Sequence, residues 1–523
     1  MDPRASLILD NACVITCDPR IPRAEAVAIQ DDLILAIGSR QEIEGLRNSA
    51  TRTIDCRGQT LIPGFNDAHC HVFSLVRKLL SLDLSPVQVH SIADIKEAVR
   101  RQVQLVPEGS WISGTDYNEF YLAEKRHPTR LDLDIVSPNH PVVISHRSLH
   151  ACVLNTLALR LAGINAGSEA PPGGLIDRDP ETGEPNGVLF EMLGYLREKV
   201  IPPIAAAELD RGIAQANGQY LSQGITSLGE ATVTNDLDQW YTYRRLKEAG
   251  LLKSRLYMMF GWEGLQQFRE EGWKTGHGDN CLKLGGLKII LSQATGNLLP
   301  PQEELNRMVL EADQSGVQVA IHAIEHSSVE AAIAALEYAQ RHSPRVNLRH
   351  RIEHCSECPP ELRKRLARLN PVIVSQPSFV YYSGERYLSQ VPAGVQHWLY
   401  PFKSLMNKGL VVAGSSDSPV VPNNPLTGIL AAITRRAASG QVVQAAEAVS
   451  PRQALEMYTI NAAYASSEEK IKGSLCPGKV ADIVMLSANP LLLPPDEIKN
   501  ISVEMTVLGG EIVWGKRDFP STK

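Results

Sequence analysis

At 523 residues, the chain is too long for one small domain and corresponds to roughly three to four domains of ordinary size. Its 43% hydrophobic and 21% charged residues are the composition of a globular enzyme with a sizeable core, which excludes a disordered chain. The formal net charge of -6 excludes a broadly basic surface. We therefore expect a small-molecule substrate, with neither nucleic acid nor a membrane as partner.

The N-terminus and the cysteines indicate the compartment. No run of about eighteen apolar residues occurs, and Asp2, Asp10 and Asn11 interrupt the region where a signal peptide needs an apolar core. The nine cysteines are scattered and odd in number, which favours reduced thiols. Cys355 and Cys358 form a C-x-x-C pair, for which packing is a simpler explanation than a redox or structural-metal role. We expect a cytoplasmic protein, and a homodimer is left open.

Short runs of β-forming residues open the chain and return near its end. They lie within residues 6–63 and again within 481–514, separated by turns. Each half has too few strands to be stable alone, so we predict that residues 1–63 and 472–523 form one composite β-sandwich.

A long segment of mixed helices and strands follows, between His71 and about Gly224. Insertions of this length are typical of functional lids, and we predict that residues 72–223 form a cap over the site. Trp111, His146 and His150 are its landmarks. The two histidines are either hydrogen-bonded structural residues or part of the site.

From Gly224 onward, short apolar strands alternate with amphipathic helices, a pattern typical of βα units and a parallel sheet. Together with the run at 65–71 they make eight strands, so the fold class is α/β, with a (β/α)8 TIM-type barrel over residues 64–471. The active site of such a barrel lies at the C-terminal ends of its strands. The predicted strands are Phe65–His71, Ile225–Leu228, Arg255–Phe260, Leu284–Leu291, Val317–His322, Arg349–His354, Val372–Ser375 and Leu410–Ser415.

Candidate metal ligands fall at those strand ends. His69 and His71 are two residues apart, which places both imidazoles on one face of a strand and provides half a metal site. Further strands end at His322 and His354, Lys288 lies within the fourth strand, and Asp417 follows the eighth. This convergence predicts a divalent metal site.

The chain resembles the amidohydrolase superfamily, and within it the YtcJ-like metal-dependent hydrolases, to which N-substituted formamide deformylases belong. The resemblance covers essentially the whole length and implies a barrel with a composite β-sandwich, one or two divalent metals and hydrolysis of amide-type bonds. It rests on P-G-F-N-D-A-H-C-H (63–71), L-H-A-C-V-L-N (149–155), G-I-T (224–226), L-K-I-I-L (287–291), V-A-I-H-A (319–323), R-I-E-H (351–354), G-S-S-D-S-P-V (414–420), Y-T-I-N-A-A (458–463) and K-G-S-L-C-P-G-K-V-A-D-I-V (472–484).

The resemblance assigns roles to individual residues. It implies that the metal ligands are His69, His71, Lys288, His322, His354 and Asp417, with zinc as the expected ion. Asp417 would also handle the proton, as general base and then acid. Lys288 would be carboxylated and bridge two ions, or would not bind metal at all, because a free ammonium cannot ligate a cation.

Substrate contacts are expected from His150, Trp111 and Gln376, on the basis of their positions in the cap and at a strand end. Two departures from the family pattern concern the substrate pocket: Ser292-Gln293 stands where relatives often have Asp-Gly, and residues 325–327 replace a common Gly-Asp-Arg. Few cations accompany the motifs, and we therefore expect an uncharged or weakly polar N-acyl or N-formyl amide.

Three other functions are weighed against this one. Gly473 to Lys479 nearly spells a phosphate-binding loop, but Val480 stands where the Mg²⁺-binding hydroxyl should be. A serine hydrolase lacks support because no G-x-S-x-G occurs. A non-catalytic ligand-binding or regulatory protein on an amidohydrolase scaffold would require the loss of ligands, and none is lost.

Overall fold

Eight parallel strands form the centre of the computed structural model, which describes residues 4–293, 297–344 and 348–519. Neighbouring strands pair in chain order, and all eight lie where the sequence pattern predicts them. The (β/α)8 prediction is confirmed. The strands are β1 (Phe65–Cys70), β2 (Ile225–Glu230), β3 (Arg255–Phe260), β4 (Leu282–Ile290), β5 (Val319–Ala323), β6 (Arg351–His354), β7 (Val372–Ser375) and β8 (Val412–Gly414).

Backbone hydrogen bonds bring the last strand back to the first. The amide of Asp417, just after β8, donates to the carbonyl of His69 at 2.8 Å. The amide of His71 donates to the carbonyl of Ser418, also at 2.8 Å. The segment after β8 therefore lies directly beside the two histidines of β1.

The helices between the strands cover the barrel with apolar faces. Gln302–Gln314 is an example: Leu305, Met308, Val309 and Ala312 are buried at spacings of three and four residues, which is the period of one helix face. The helices from β2 onward are Leu237–Glu248, Trp262–Glu270, Gln302–Gln314, His326–His342, Pro360–Leu369, Pro377–Gln390, Ala393–Gln396, Phe402–Met406, Pro425–Thr434, Pro451–Met457 and Ile460–Ala465, with 3-10 turns at Ala445–Glu447 and Pro495–Asn500.

Two further sheets, built from both ends of the chain, pack face to face around one apolar cluster. Thr60–Pro63, just before β1, pairs antiparallel with Ile483–Leu486. The N- and C-terminal strands thus share one sheet. In spatial order, the four-stranded sheet contains Leu33–Gly38, Ala26–Gln30, Leu7–Asp10 and Arg52–Asp55, and the six-stranded sheet contains Glu511–Gly515, Val503–Leu508, Ile483–Leu486, Thr60–Pro63, Cys13–Ile15 and Arg23–Ala24. A short helix, Arg40–Glu44, follows the edge strand Leu33–Gly38.

One buried ion pair connects this sandwich to the barrel. Arg255, the first residue of β3, binds both carboxylate oxygens of Asp482, with Nε–Oδ2 at 2.7 Å and Nη2–Oδ1 at 2.9 Å. Both residues are buried, and a bidentate geometry gives such a pair direction as well as energy. The pair therefore fixes the C-terminal strands against the barrel.

The segment between β1 and β2 contributes a sheet of its own. Helices Val72–Leu79 and Ala206–Ser222, at its two ends, share the apolar core of the barrel through Val76 and Ile213. The six strands between them are, in spatial order, Leu175–Arg178, Pro185–Phe190, Ala151–Leu154, Val142–His146, Ile112–Tyr117 and Leu82–Asp83. The intervening helices are Ile92–Val103, Arg130–Asp134, Thr156–Leu161 and Leu193–Lys199. Across the described ranges, no helix is long and apolar enough to span a membrane.

Candidate metal centre

The two histidines of the first strand are held by different neighbours. Strand β1 ends at Cys70, and His71 is the residue that precedes helix Val72–Leu79. The Nδ1 atom of buried His69 lies 2.5 Å from Oε2 of Glu353 on β6. The Nδ1 atom of His71 lies 3.0 Å from Oγ1 of Thr232, beyond the end of β2. In both rings the second nitrogen, Nε2, is directed elsewhere.

That second nitrogen lies beside a carboxylate. Oδ1 of Asp417 is 3.4 Å from Nε2 of His69 and 3.1 Å from Nε2 of His71. One ligand atom from each of the three side chains lies within 4.8 Å of the others. Two imidazoles and a carboxylate are a suitable donor set for a divalent transition metal.

His354 adds a third ring at the end of β6. Its Nδ1 atom lies 2.7 Å from Oε1 of Gln376, whereas its Nε2 atom is buried and has no partner among the described residues. Its ring centre is 5.0 Å from that of His69 and 4.3 Å from that of His322, which is half-buried at the end of β5. A buried ring nitrogen without a partner is costly, and a metal ion would satisfy it.

Two of these residues have unusual backbone conformations. His354 has φ +69° and Asp417 has φ +56°, in the left-handed region that non-glycine residues seldom adopt. Such conformations are found at functional sites, where the surrounding structure holds them. Here the turn at each position aims a side chain from the end of a strand toward β1.

Lys288 lies inside the barrel next to the same ring. It is 2% exposed, and its Nζ atom is 3.3 Å from Nε2 of His69. Burial lowers the pKa of Lys288 to about 8, even though the carboxylates of Glu353 and Asp417 act in the opposite direction. The neutral amine is therefore much more populated near neutral pH than in an ordinary lysine, although the ammonium form still predominates.

The carboxylate and the first imidazole have opposite electrostatic environments. Burial raises the pKa of the Asp417 carboxyl, but the neighbouring imidazoles outweigh burial and hold the pKa well below its usual range. Burial, and then the charge of Lys288, lowers the pKa of His69 well below its ordinary value. Asp417 is thus ionised and His69 neutral, which are the forms that bind a metal.

A cavity of about 370 Å³ opens at this end of the barrel, under the cap. Among the predicted site residues, His150, His322, His354 and Asp417 line it. His150 reaches it from the cap, with its Nδ1 atom 2.9 Å from Oε1 of Glu191. His146, the other histidine of the cap, also lines the cavity, and its Nε2 atom is 2.9 Å from Oε2 of Glu119.

The other two predicted substrate contacts lie elsewhere. Trp111 lines a different cavity, on the far side of the cap strands. Gln376 is fully buried, and its amide is occupied: Oε1 accepts from His354, and Nε2 donates to Oγ of Ser415 at 2.9 Å. In this structure Gln376 orients a candidate ligand and does not line the cavity.

Two arginines lie where the sequence led us to expect few cations. Arg147 and Arg386 both line the cavity. Arg147 donates to the carbonyl of Val420 at 2.8 Å and lies over the ring of Tyr382, whereas Arg386 lies over the ring of Tyr387. The cavity is therefore compatible with a polar or anionic group on the substrate, and the expectation of few cations is wrong.

The two departures from the family pattern meet in space. Nε2 of Gln293, after β4, donates to Oγ of Ser327 at 2.7 Å, on the helix that follows β5. Both lie beyond the C-terminal ends of adjacent strands. The two departures are therefore direct neighbours beyond strands β4 and β5.

The sequence reasoning missed Glu353, Arg351 and Thr232. Glu353 is fully buried and accepts from Arg351 through both oxygens, at 2.7 and 2.9 Å, in addition to its contact with His69. The signal was present, because two charged residues at alternate positions of a buried strand share one face and must be paired. The sequence did not show that Glu353 contacts His69 on β1, which is 284 residues away along the chain.

Fold and site together place the chain in the TIM-barrel class, with a histidine-rich cluster at the strand ends that is suited to a metal ion. The comparisons identify its family. A sequence profile of the amidohydrolase family matches residues 52–514, and the chain belongs to that family. Membership of this family makes the protein a hydrolase of carbon–nitrogen bonds other than peptide bonds, as predicted.

Individual relatives agree with this assignment. The N-substituted formamide deformylase of Arthrobacter pascens is 28% identical, over 98% of each chain. The Bacillus subtilis protein YtcJ is also 28% identical, over 94% of this chain and 96% of that one. In fold, the chain is similar to an uncharacterized metal-dependent hydrolase from Pyrococcus horikoshii, with a TM-score of 0.76 and 22% identity over 94% of this chain and 99% of that chain.

Proposed function

We propose that the protein is a zinc hydrolase of a small N-acyl or N-formyl amide, with His69, His71, His322, His354, Asp417 and Lys288 as the metal site. One observation carries the proposal. Three imidazoles, those of His69, His71 and His354, each hold Nδ1 against an oxygen of a second residue. The acceptor oxygens of Glu353 and Gln376 select, in His69 and His354, the tautomer in which Nε2 carries the lone pair, as second-shell partners do in metal sites. The hydroxyl of Thr232 is able to accept from His71 in the same way.

The donor set supports zinc. Imidazole nitrogens and a carboxylate suit zinc well, and no thiolate lies among these residues. A bound divalent ion supplies Lewis acidity, which acidifies water and polarises a carbonyl. Proton transfer and substrate binding are carried out by side chains of the protein.

Asp417 is the residue we assign to proton transfer. Its carboxylate lies between the two histidines of the first strand and also lines the cavity, so it faces both the metal site and the substrate space. Asp417 is ionised at neutral pH, so its carboxylate has a free position for a proton from water. It then returns that proton to the leaving nitrogen, which an amide requires before the C–N bond breaks.

We assign Lys288 to the metal site as a carbamate. Only a neutral amine reacts with carbon dioxide, and the lowered pKa of Lys288 provides that form. Without carboxylation, the ammonium beside His69 would not bind a cation. Metal analysis distinguishes the two states: two ions per chain support a bridging carbamate, and a single ion in fully active enzyme excludes it.

The substrate proposal rests on the deformylase relative and on the shape of the cavity. A volume of about 370 Å³ suits a small molecule, and His150 extends into it from the cap. We propose that His150 contacts the substrate and that Trp111 and Gln376 do not.

The nine cysteines are all free thiols, which supports a cytoplasmic location.

A substrate panel tests the proposal. Zinc-loaded and metal-depleted protein would be assayed against matched N-formyl, N-acyl and carbamate compounds. We expect turnover of an N-formyl or N-acyl member that depends on the metal, and a raised KM in His150→Asn. His342→Asn is the matched control, because His342 is exposed at the end of helix His326–His342, where it bonds a backbone carbonyl. Amide turnover that survives metal depletion would contradict the proposal.

A further inference from the structure

A second cavity, of about 540 Å³, lies between the cap and the barrel-side helices. Helix Val72–Leu79 forms one wall, and the cap strands Ile112–Tyr117 and Val142–His146 form another. Helix Leu193–Lys199 and the segment 201–204 complete it. One of these cap strands ends at His146 and the other just before Asn118, and both residues line the metal-site cavity. The two cavities are thus separate spaces on either side of shared strands.

Two arginine side chains in this cavity lack any counter-charge. Arg77 and Arg197 line it, and within the described ranges neither guanidinium has a hydrogen bond, an ion pair or an aromatic ring beneath it. Arg77 and Arg197 are half-buried, whereas the fully buried Arg351 pairs with Glu353 and the buried Arg255 pairs with Asp482. An unpaired cation that has lost part of its hydration is costly, which makes two at one place unusual.

The positive charge of one guanidinium group acts on the other. Burial, and then the positive charge of Arg77, lowers the pKa of Arg197 to about 10. Burial lowers the pKa of Arg77 in the same way. The neighbouring Lys78 on the same helix differs, because its Nζ atom binds Asp116 at 2.8 Å. One carboxylate, that of Glu208, also lines the cavity. It is exposed, and its Oε1 atom lies 3.8 Å from Nη2 of exposed Arg211, so it pairs with neither Arg77 nor Arg197.

An unpartnered hydroxyl is an independent sign of a missing ligand. Thr115 lines the cavity and is 8% exposed, and its Oγ1 atom has no hydrogen-bond partner in the part of the chain that the structure describes. Buried hydroxyls in native proteins are almost always hydrogen-bonded. A donor of this kind, in the same cavity as two free guanidiniums, suits an oxyanion.

The remaining lining is apolar, which restricts the ligand further. Trp111, Leu193, Ile201 and Ile204 line the cavity together with Pro202 and Pro203. A volume of about 540 Å³ lies within the usual range for small-molecule sites. The geometry points to a second, non-catalytic binding site, specific for a small organic anion with a carboxylate or phosphate head and an apolar body. Arg77, Arg197 and Thr115 hold the head, and Trp111 contacts the body.

The site is tested by calorimetric titration of the zinc-loaded full chain with hexyl phosphate and with hexanoate, at fixed ionic strength. Hexanol is the neutral control of equal chain length. We expect saturable binding of at least one of the anions, a raised thermal midpoint with that anion, and much weaker binding of hexanol. Equal binding of the alcohol and both anions would overturn the assignment, because the guanidiniums would then contribute nothing. The two anions separate a phosphate from a carboxylate head.

Variants distinguish this site from the metal centre, to which anions also bind. Arg77→Gln and Arg197→Gln should each weaken anion binding about tenfold to a hundredfold, since each removes a charge-assisted contact. Arg101→Gln is the matched control, because Arg101 is an exposed arginine paired with Glu97. Binding that is unchanged in both cavity variants would place the anion at the metal and refute the site.

A folding defect is separable from lost binding. Removing an unpaired cation should leave the thermal midpoint of the ligand-free protein unchanged or higher, so both cavity variants should fold. Thr115→Val removes the hydroxyl at nearly constant volume and should weaken anion binding while the zinc content stays constant. A Thr115→Val variant with wild-type anion affinity would count against the proposed head-group position.

Discussion

Replacing Glu353 by Gln tests how the barrel interior supports the metal site. Glu353 is fully buried, and its two oxygens accept three hydrogen bonds, two from Arg351 and one from His69. Glutamine replaces one of these oxygens by an NH₂ group, which would point a donor at another donor. It also removes the charge that balances Arg351, which is 1% exposed.

Two separate losses follow from these contacts. Leaving one member of a buried ion pair without its charged partner costs about 3–5 kcal/mol, and Arg351 would keep its bond to the carbonyl of Ala68 and the one remaining oxygen of the glutamine. With the NH₂ group in the position of Oε2, His69 loses the acceptor for Nδ1, which releases the tautomer and orientation of its ring. Such a change at a metal-binding histidine lowers metal affinity about tenfold to a hundredfold.

Glu468→Gln is the matched control. Glu468 is 4% exposed and pairs with Lys472 at 2.7 Å and Lys283 at 3.0 Å, so its loss should also destabilise the fold. Urea unfolding of both variants and zinc competition with a chelator separate the two effects. We expect both variants to unfold at lower urea, but only Glu353→Gln to lose zinc affinity. Wild-type zinc affinity in Glu353→Gln would refute the role assigned to the carboxylate.

Three further outcomes are expected. Asp417→Asn should lower kcat by about 10² to 10⁴ because it removes the proton acceptor. Metal analysis of this variant should still find bound zinc, and near-normal turnover would exclude the role assigned to Asp417. Chelation should abolish amide hydrolysis and added zinc should restore it, which a rate assay checks directly. Truncation after residue 470 should lower the thermal midpoint, because it removes the strand Ile483–Leu486 that pairs with Thr60–Pro63 and the Asp482 partner of Arg255; an unchanged midpoint would contradict the shared sheet.

Local patterns were sufficient for the barrel. From residue 224 onward, short apolar runs alternate with amphipathic helices, so periodicity located seven of the eight strands. The first strand is polar and was located through its histidine pair; it stops at Cys70, and the helix Val72–Leu79 begins after His71. The candidate ligands could be proposed because C-terminal strand ends of a parallel barrel meet at one face.

The sequence by itself determined the order of strands and helices, the family and the identity of the candidate ligands, because these depend on spacings within a few residues and on motifs. Tertiary structure alone decided which side chain orients which. Glu353 contacts a histidine 284 residues away, Gln376 is turned inward to His354, and Trp111 lies in the second cavity instead of the first. Such contacts depend on how the closed sheet and the cap bring distant strands together, and no local pattern encodes that distance.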